Sequence, residues 1–500
     1  MRTLVIRADA GARVGTGHLM RCLALAQAWQ AEGGRAIFLS HCESESLRQR
    51  IEGDDIQFVS LEKPHPDSLD LQKTLEFSEQ QRANWIVLDG YHFDSAYQAA
   101  LRNVGKRVLV IDDTAHLPHY HADILLNQNI YAPELKYHGD ADTTFLLGAR
   151  YALLRHEFLR WNDWQREIPD TACHVLVTFG GSDAENVTLK VMRAIERAPM
   201  DALEVVVVVG GSNPHFQRLM AEAANSKFKM RVERDAANVP DLMAWADIAI
   251  SGAGSTCWEM AFMRLPALLV VIAENQRRVA QGLDDAKIAR DAGWHAALSP
   301  DEIGRAFLHM VAAKQARAEM SRRGGALVDG EGAQRVTMHL LNRAVRLRTT
   351  RAEDCRMIWE WANDAETRRF SFSTDPIPWE RHLEWFNSKL SSSNCYFYLA
   401  LDRDDAPVAQ IRFDLNEATK DEATVSITVA PHQRGKGYGA AVIEAGSEKF
   451  CATSTAKVIH AYVKPENAAS IHAFEKAAYG NMGMMREREH KVLHLTRSRP

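Results

Sequence analysis

The feature that most limits how this chain can fold is a rhythm of short apolar runs, each followed by a stretch of helical periodicity and most ending in glycine or a polar residue. Runs at 3–7, 36–40, 85–89, 107–112 and 124–127 form one series, and runs at 174–179, 203–210, 229–233, 248–251 and 267–272 form another. Apolar runs this short, without strict alternation, read as strands buried on both faces, as in parallel sheets wrapped by helices. The helical pattern at 20–32 closes at Gly33-Gly34. Between the two series, at 161–172, the chain turns polar and reads as a linker. The pattern predicts an α/β chain with two Rossmann-like domains, residues 1–165 and 172–345, and a cleft between them.

From residue 346 the order changes. Helical stretches at 352–362 and 379–390 come first, and strands at 396–401, 408–414 and 422–429 follow. A glycine-rich turn then opens a helix, followed by a strand at 458–463 and a helix at 468–478. This is mixed α+β order, and it predicts a third domain over 346–500.

Composition narrows the function classes. A net charge of −5 argues against nucleic acid as the main partner. Seven cysteines, an odd number without a CxxC pair, argue against a disulfide framework or a zinc site and fit a reducing compartment. The start, MRTLVIRADAG, carries no long apolar segment, and the longest apolar runs are too short to span a bilayer. A cytoplasmic protein without a membrane partner is expected; the oligomeric state stays open.

Two glycine-rich constellations mark the first two domains. After the first strand, Gly15-Thr16-Gly17-His18 leads into a helix that carries Arg21. Glycines admit a ligand close to the backbone, and a helix start favours an anion. The same helix end disfavours the imidazolium form of His18, so His18 is a candidate proton acceptor. In the second domain, Ser251-Gly252-Ala253-Gly254-Ser255-Thr256 opens a helix carrying Glu259, placed to accept from a ribose, and Asn275 and Gln276 follow the next strand. Two more strands end in Phe179-Gly180-Gly181-Ser182-Asp183 and Gly210-Gly211-Ser212-Asn213. Three such loops on one edge predict a diphosphate site. Asp112, Asp113, His116, His119 and His121 form an acid/histidine cluster, but their spacing matches no metal-ligand motif, so no metal is expected; Asp112 or Asn127 is placed instead as a cleft-lining residue.

The segments RADA, GTGHLMRC, VLDGYHFD, DDTAHLPHYHADILLNQN, YALLRHEF, TFGGSD and SGAGSTCWEMAFMRLPALLVV together resemble the UDP-2,4-diacetamido-2,4,6-trideoxy-β-L-altropyranose hydrolases of pseudaminic acid biosynthesis. The resemblance covers residues 1–345. It implies a two-lobed architecture like that of GT-B glycosyltransferases and metal-independent, inverting attack of water on the anomeric carbon, with UDP leaving. It further implies His18 as general base and Tyr91 as a site residue, and Asp9, on the same loop as His18, is expected to orient His18 or a sugar hydroxyl. It implies Glu259 and Asn275 as nucleotide-sugar contacts, and the loops add Gly15, Gly17, Arg21, Gly180, Gly181, Gly252, Gly254, Ser255 and Thr256 as expected ligand contacts.

In the third domain a strand ends at Ala430-Pro431, and His432-Gln433-Arg434-Gly435-Lys436-Gly437-Tyr438-Gly439 opens a helix. Proline stops strand pairing, and the glycines present successive N–H groups suited to a pyrophosphate. This RxxGxG motif, with Asn467-Ala-Ala-Ser470 through Tyr479-Gly480, resembles GNAT acetyltransferases. The stretches at 347–354 and 379–386 resemble a branch acting on UDP-4-amino-4,6-dideoxy-N-acetyl-β-L-altrosamine. The resemblance implies acetyl-CoA as cosubstrate, held by Val429, Arg434, Gly435, Lys436, Gly437, Tyr438, Gly439, Asn467 and Ser470. A glutamate common in the family is replaced by Thr424, with Glu422 on the same strand face as an alternative acting through water; the usual tyrosine acid is replaced by Phe474, leaving Tyr462, Tyr479 or His472.

The sequence therefore predicts a bifunctional enzyme that acetylates the 4-amine of a UDP-amino-sugar and hydrolyses the UDP-diacetamido-sugar. The alternatives are a UDP-sugar-dependent GT-B glycosyltransferase with an appended acyltransferase, and a non-catalytic nucleotide-sugar sensor.

Overall fold

The computed structural model describes residues 2–11, 15–181, 183–211, 213–341, 345–402, 404–487 and 490–499. It divides into two compact units, Met1–Thr337 and Met338–Pro500.

The first unit holds both apolar series. Strands β1 (Thr3–Ala8), β2 (Arg35–Ser40), β3 (Gln57–Ser60), β4 (Trp85–Asp89), β5 (Arg107–Ile111), β6 (Ile124–Asn127) and β7 (Thr144–Leu147) form a parallel sheet in the order β3-β2-β1-β4-β5-β6-β7. Strands β8 (His174–Thr178), β9 (Glu204–Val209), β10 (Lys229–Arg234), β11 (Ile248–Ser251), β12 (Ala267–Val271) and β13 (Arg290–Trp294) form a second, in the order β10-β9-β8-β11-β12-β13. Both have the doubly wound order of a Rossmann fold, which places ligand crevices at the carboxyl ends of the central strands. Those central strands, β1, β4, β8 and β11, are the apolar runs of the sequence, and β1, β4 and β11 are buried along their whole length.

The expected linker at 161–172 is docked rather than free. Trp161 and Trp164 pack on the core under the second sheet. The Arg166 guanidinium donates to the carbonyls of Met243, Ala246 and Met263. The chain then returns to the first lobe: Arg335 donates to the Arg150 carbonyl at 2.8 Å, and Gly332 lies so close to Ala152 that a Cβ there would sit 2.3 Å from its carbonyl oxygen.

The second unit has one mixed sheet of β14 (Arg346–Thr349), β15 (Cys395–Leu401), β16 (Pro407–Leu415), β17 (Glu422–Val429), β18 (Val458–Val463), β19 (Gly480–Glu487) and β20 (His490–Ser498), in the order β14-β15-β16-β17-β18-β20-β19. The helix Tyr438–Thr453 covers one face through Val442, Ile443 and Phe450, and the helices Cys355–Asn363 and Trp379–Ser391 cover part of the other through Ile358, Trp361 and Phe386. β17 and β18 are parallel but pair only from Glu422↔Val458 to Thr424↔His460. Both run on, to Val429 and Val463, so they diverge and leave a wedge-shaped gap. The fold is thus two Rossmann-like sheets followed by an α+β domain. Among the described residues no helix is long and apolar enough to cross a membrane.

Candidate functional site

A cleft of about 840 Å³ lies between the two parallel sheets of the first unit. His18 enters it from the first turn of the helix Gly17–Ala31. Its Nδ1 stands 2.6 Å from Oδ1 of Asp89, the last residue of β4. Asp89 is fully buried. Burial works to raise its pKa, but the charge of Arg21 and the hydrogen bonds from Arg21 and His18 hold it well below the usual carboxylate range. An ionised carboxylate only accepts, so Nδ1 of His18 is the donor. In the neutral ring the lone pair then sits on Nε2, the nitrogen left for a reacting proton. The 3.3 Å approach of Arg21 Nη2 to Nδ1 is a contact between two donors sharing Asp89 Oδ1.

Arg21, one turn further along the helix, grips Asp89 at 2.6 and 2.7 Å and Asp113 at 2.9 and 3.0 Å. Asp113 also accepts from Tyr91 Oη and Asn129 Nδ2, both at 2.8 Å. Burial, then the Asp113 carboxylate, push the Tyr91 phenol well up, so it stays protonated. Its oxygen accepts from Asn275 Nδ2 of the other lobe at 3.1 Å, bringing together two of the expected residues.

The second lobe meets His18 with the Ser251–Thr256 loop. A Cβ on Gly17 would lie 3.5 Å from Ser255 Oγ, so the two glycine loops face each other directly. The helix that follows, Thr256–Phe262, has no side-chain cap at Ser255. Gly15, Gly180, Gly181, Gly252, Gly254, Thr256 and Glu259 line the same cleft. Glu259 takes two bonds from Arg155, both on Oε1, at 2.9 and 3.3 Å.

Several expectations need correction. Asp9 does not orient His18: it is buried, ion-paired to Arg7, and accepts from the backbone N–H of His41 and His65. Asp89 does that work, in a segment the sequence reading quoted without singling it out. Arg21 organises carboxylates and has no free edge for a phosphate. The other two glycine loops are already supplied with anions: Asp183 accepts from Val187 and Thr188 N–H at 2.8 and 2.9 Å, and Asp235 accepts from Gly211 N–H at 2.5 Å. Ser182 and Ser212 of those loops lie outside the described residues. Asp112 and Asn127 do not line the cleft. Asp112 accepts from the Thr114 and Ala115 N–H groups, His116 and Tyr137, and Asn127 holds Tyr137 and Asn129. His119, His121 and Asp140 gather their ligand atoms within 4.8 Å of one another, but both histidines bond to Asp140, which also pairs with Arg102.

The second unit presents the other site. The loop after β17 has Gly435 at φ +76° and Gly437 at φ +84°, values that favour glycine. The helix Tyr438–Thr453 that follows has no side-chain cap and no acid in its first turn, which leaves its N–H groups for an anion. Arg434 ties the loop to Asp364, Glu366 and Thr367 at 2.6, 2.8 and 2.7 Å. Lys436 is exposed and bonds to Gln433, Asn467 caps its helix by accepting from Ser470 N–H at 3.1 Å, and Val429 and Tyr438 pack on the core. Phe474 is buried in that core, and Tyr479 is sealed there with its hydroxyl on Ser447. Tyr462 remains half-exposed on β18, stacked 5.1 Å from His494, and Glu422 stands 3.8 Å from His460. The sequence reading missed both histidines. Only their alternation on strands, on the face carrying Glu422 and Tyr462, could have flagged them.

Comparisons with known proteins divide the chain in the same way. Residues 344–479 match the acetyltransferase (GNAT) domain family, and residues 174–335 match the glycosyltransferase family 28 C-terminal domain. An uncharacterized protein of Methanocaldococcus jannaschii is 21% identical over 97% of this chain and 98% of its own length, so the pairing of the two units on one polypeptide is shared. The UDP-2,4-diacetamido-2,4,6-trideoxy-β-L-altropyranose hydrolase of Campylobacter jejuni is 23% identical over 56% of this chain and 95% of its own. Among solved structures, MurG of Acinetobacter baumannii aligns over 68% of this chain and 100% of its own at 14% identity and a TM-score of 0.48.

Proposed function

We propose that the chain performs two consecutive reactions on a UDP-linked amino-sugar. The second unit transfers acetyl from acetyl-CoA to the sugar 4-amine. The first unit then hydrolyses the UDP-2,4-diacetamido-2,4,6-trideoxy-sugar to UDP and the free sugar. The observation that carries the hydrolytic half is the 2.6 Å His18–Asp89 pair at the cleft, opposite the Ser251–Thr256 loop. Nε2 of His18 takes a proton from water as the oxygen attacks the anomeric carbon, and the C–O bond to UDP breaks. The leaving diphosphate is already anionic and lies against a helix start, so it departs without a protein acid. Tyr91 and Asn275, joined across the cleft, hold the sugar between the lobes.

The acetyl-transfer half rests on the glycine loop at Arg434–Gly439, whose backbone takes the CoA pyrophosphate, and on the gap between β17 and β18, which takes the acyl arm. The match to a glycosyltransferase domain over 174–335 favours a second reading, sugar transfer to an acceptor other than water.

One experiment separates these readings. Purified full-length chain is incubated with the UDP-4-amino-sugar and acetyl-CoA, and CoA thiol and UDP are measured without any acceptor. Release of both, with UDP release lost in His18→Ala while UDP binding persists, is the expected result. UDP release that needs an added acceptor establishes the glycosyltransferase reading, and UDP release untouched by His18→Ala removes His18 as the base.

A further inference from the structure

The second unit holds a polar constellation that the glycine loop does not explain. His460 on β18 and His494 on β20 are joined through Nδ1 and Nε2 at 2.9 Å, with rings stacked at 5.2 Å. Among the described residues, the other ring nitrogen of His460, Nε2, is buried without a hydrogen-bond partner, and the nearest carboxylate oxygen, on Glu422, is 3.8 Å away. A buried imidazole nitrogen left unmatched in this way is costly unless something else comes to meet it.

Its position says what that is. Thr424↔His460 is the last paired rung of β17 and β18, so His460 stands at the apex of the gap where the strands part. β17 leads directly into the glycine loop. A thioester whose pyrophosphate lies on that loop and whose arm enters the gap therefore brings its acyl carbon towards His460.

Resting on the acetyltransferase reading above, we infer that His460 is the group that accepts the proton of the attacking amine, with His494 as its positioning residue. His460 donates Nδ1–H to His494 Nε2, which leaves the lone pair on Nε2. The primary amine attacks the acetyl carbonyl, the N–C bond forms and the C–S bond breaks. His460 Nε2 takes the proton of the ammonium to give that free amine, and the proton that the nitrogen sheds as the N–C bond forms passes to the departing thiolate. Among the described residues, the titratable groups facing His460 are Glu422 from β17 and His494 from β20, with Tyr462 beside it on β18 and Glu487 of β19 within electrostatic reach of Tyr462. Glu422 favours both an incoming ammonium and the imidazolium that forms. Burial and the neighbouring His460 push His494 down, which keeps it neutral as an acceptor. The substrate class is a primary amine delivered as its ammonium form, which must be deprotonated on the enzyme.

The test follows CoA thiol release by full-length protein with acetyl-CoA and the UDP-4-amino-sugar from pH 6 to 10 (roughly the range over which imidazole and amine both titrate). Failure of the wild-type chain to release CoA thiol overturns the acetyltransferase reading itself. Given an active wild type, His460→Gln is expected to lower kcat about 10²–10⁴-fold at neutral pH. KM for acetyl-CoA stays unchanged, and the deficit shrinks about tenfold per pH unit as the free amine forms unaided. A His460→Gln enzyme with wild-type kcat, or one whose loss is the same at every pH, overturns the proposal. His494→Asn is the second variant: a shifted acidic limb of the kcat profile with a smaller loss supports its positioning role, and an unmoved profile overturns that role.

Discussion

At the scale of single residues, the first unit turns on one choice of tautomer. Asp89 is buried and ionised, so it fixes the proton on Nδ1 of His18 and leaves Nε2 bare. Asn at that position keeps the shape but can present its amide N–H₂ to Nδ1, which favours the opposite tautomer. Asp89→Asn is therefore expected to cut kcat for UDP release about 10²–10⁴-fold with little change in KM, measured by steady-state kinetics. An equal loss through KM alone would mean that Asp89 serves binding instead. The variant also leaves Arg21 with a neutral partner, so a thermal melt must accompany the kinetics. Sequence made His18 visible because it sits in a glycine loop at a helix start. It could not separate Asp9 from Asp89, since both follow strands and both lie near that loop in the chain or the fold. What separates them is the alignment of β1 beside β4, which carries Asp89 to the His18 ring while Arg7 and two backbone N–H groups close around Asp9.

At the scale of elements, close backbone approaches define where segments dock. A methyl group at Gly332 would lie 2.3 Å from the Ala152 carbonyl oxygen and 2.6 Å from its nitrogen, and rigid backbone cannot step aside as a side chain can. Gly332→Ala is expected to destabilise the first unit by about 1–3 kcal/mol in a urea melt, with the m-value unchanged. A wild-type midpoint would show that the helix Gly332–Leu340 is free to shift at its start. Among the strands, the buried central ones are the most legible. β1, β4 and β11 were plain as apolar runs because both faces are covered. β3, β7 and β13, at sheet edges, and the hairpin β19–β20 escaped notice, since an edge strand half open to water has no reason to be apolar along its length. The same logic hid the docking of 161–172: its two half-buried tryptophans pack on each other and on the core without a longer period to betray them.

At the scale of the whole molecule, the chain divides into two compact bodies. The apolar clusters that pack on the second parallel sheet draw on residues up to Val328, and the cluster that packs on the mixed sheet begins at Val345. Cooperative unfolding follows shared cores, so two such bodies melt as two transitions. A ligand that binds only the folded form stabilises the body that binds it, by about 2.7 kcal/mol at a free concentration one hundred times its Kd. Acetyl-CoA is thus expected to raise the midpoint of one calorimetric transition and UDP that of the other, each leaving its counterpart in place. The assignment is checked by substitution: Gly332→Ala lowers the transition that UDP raises, and Gly437→Ala, which puts a side chain at φ +84° in the glycine loop, weakens the response to acetyl-CoA alone. A single transition moved by either ligand would mean that the two bodies unfold as one. The sites would then be coupled through folding free energy, and a substitution in one active site could no longer be read without measuring the other.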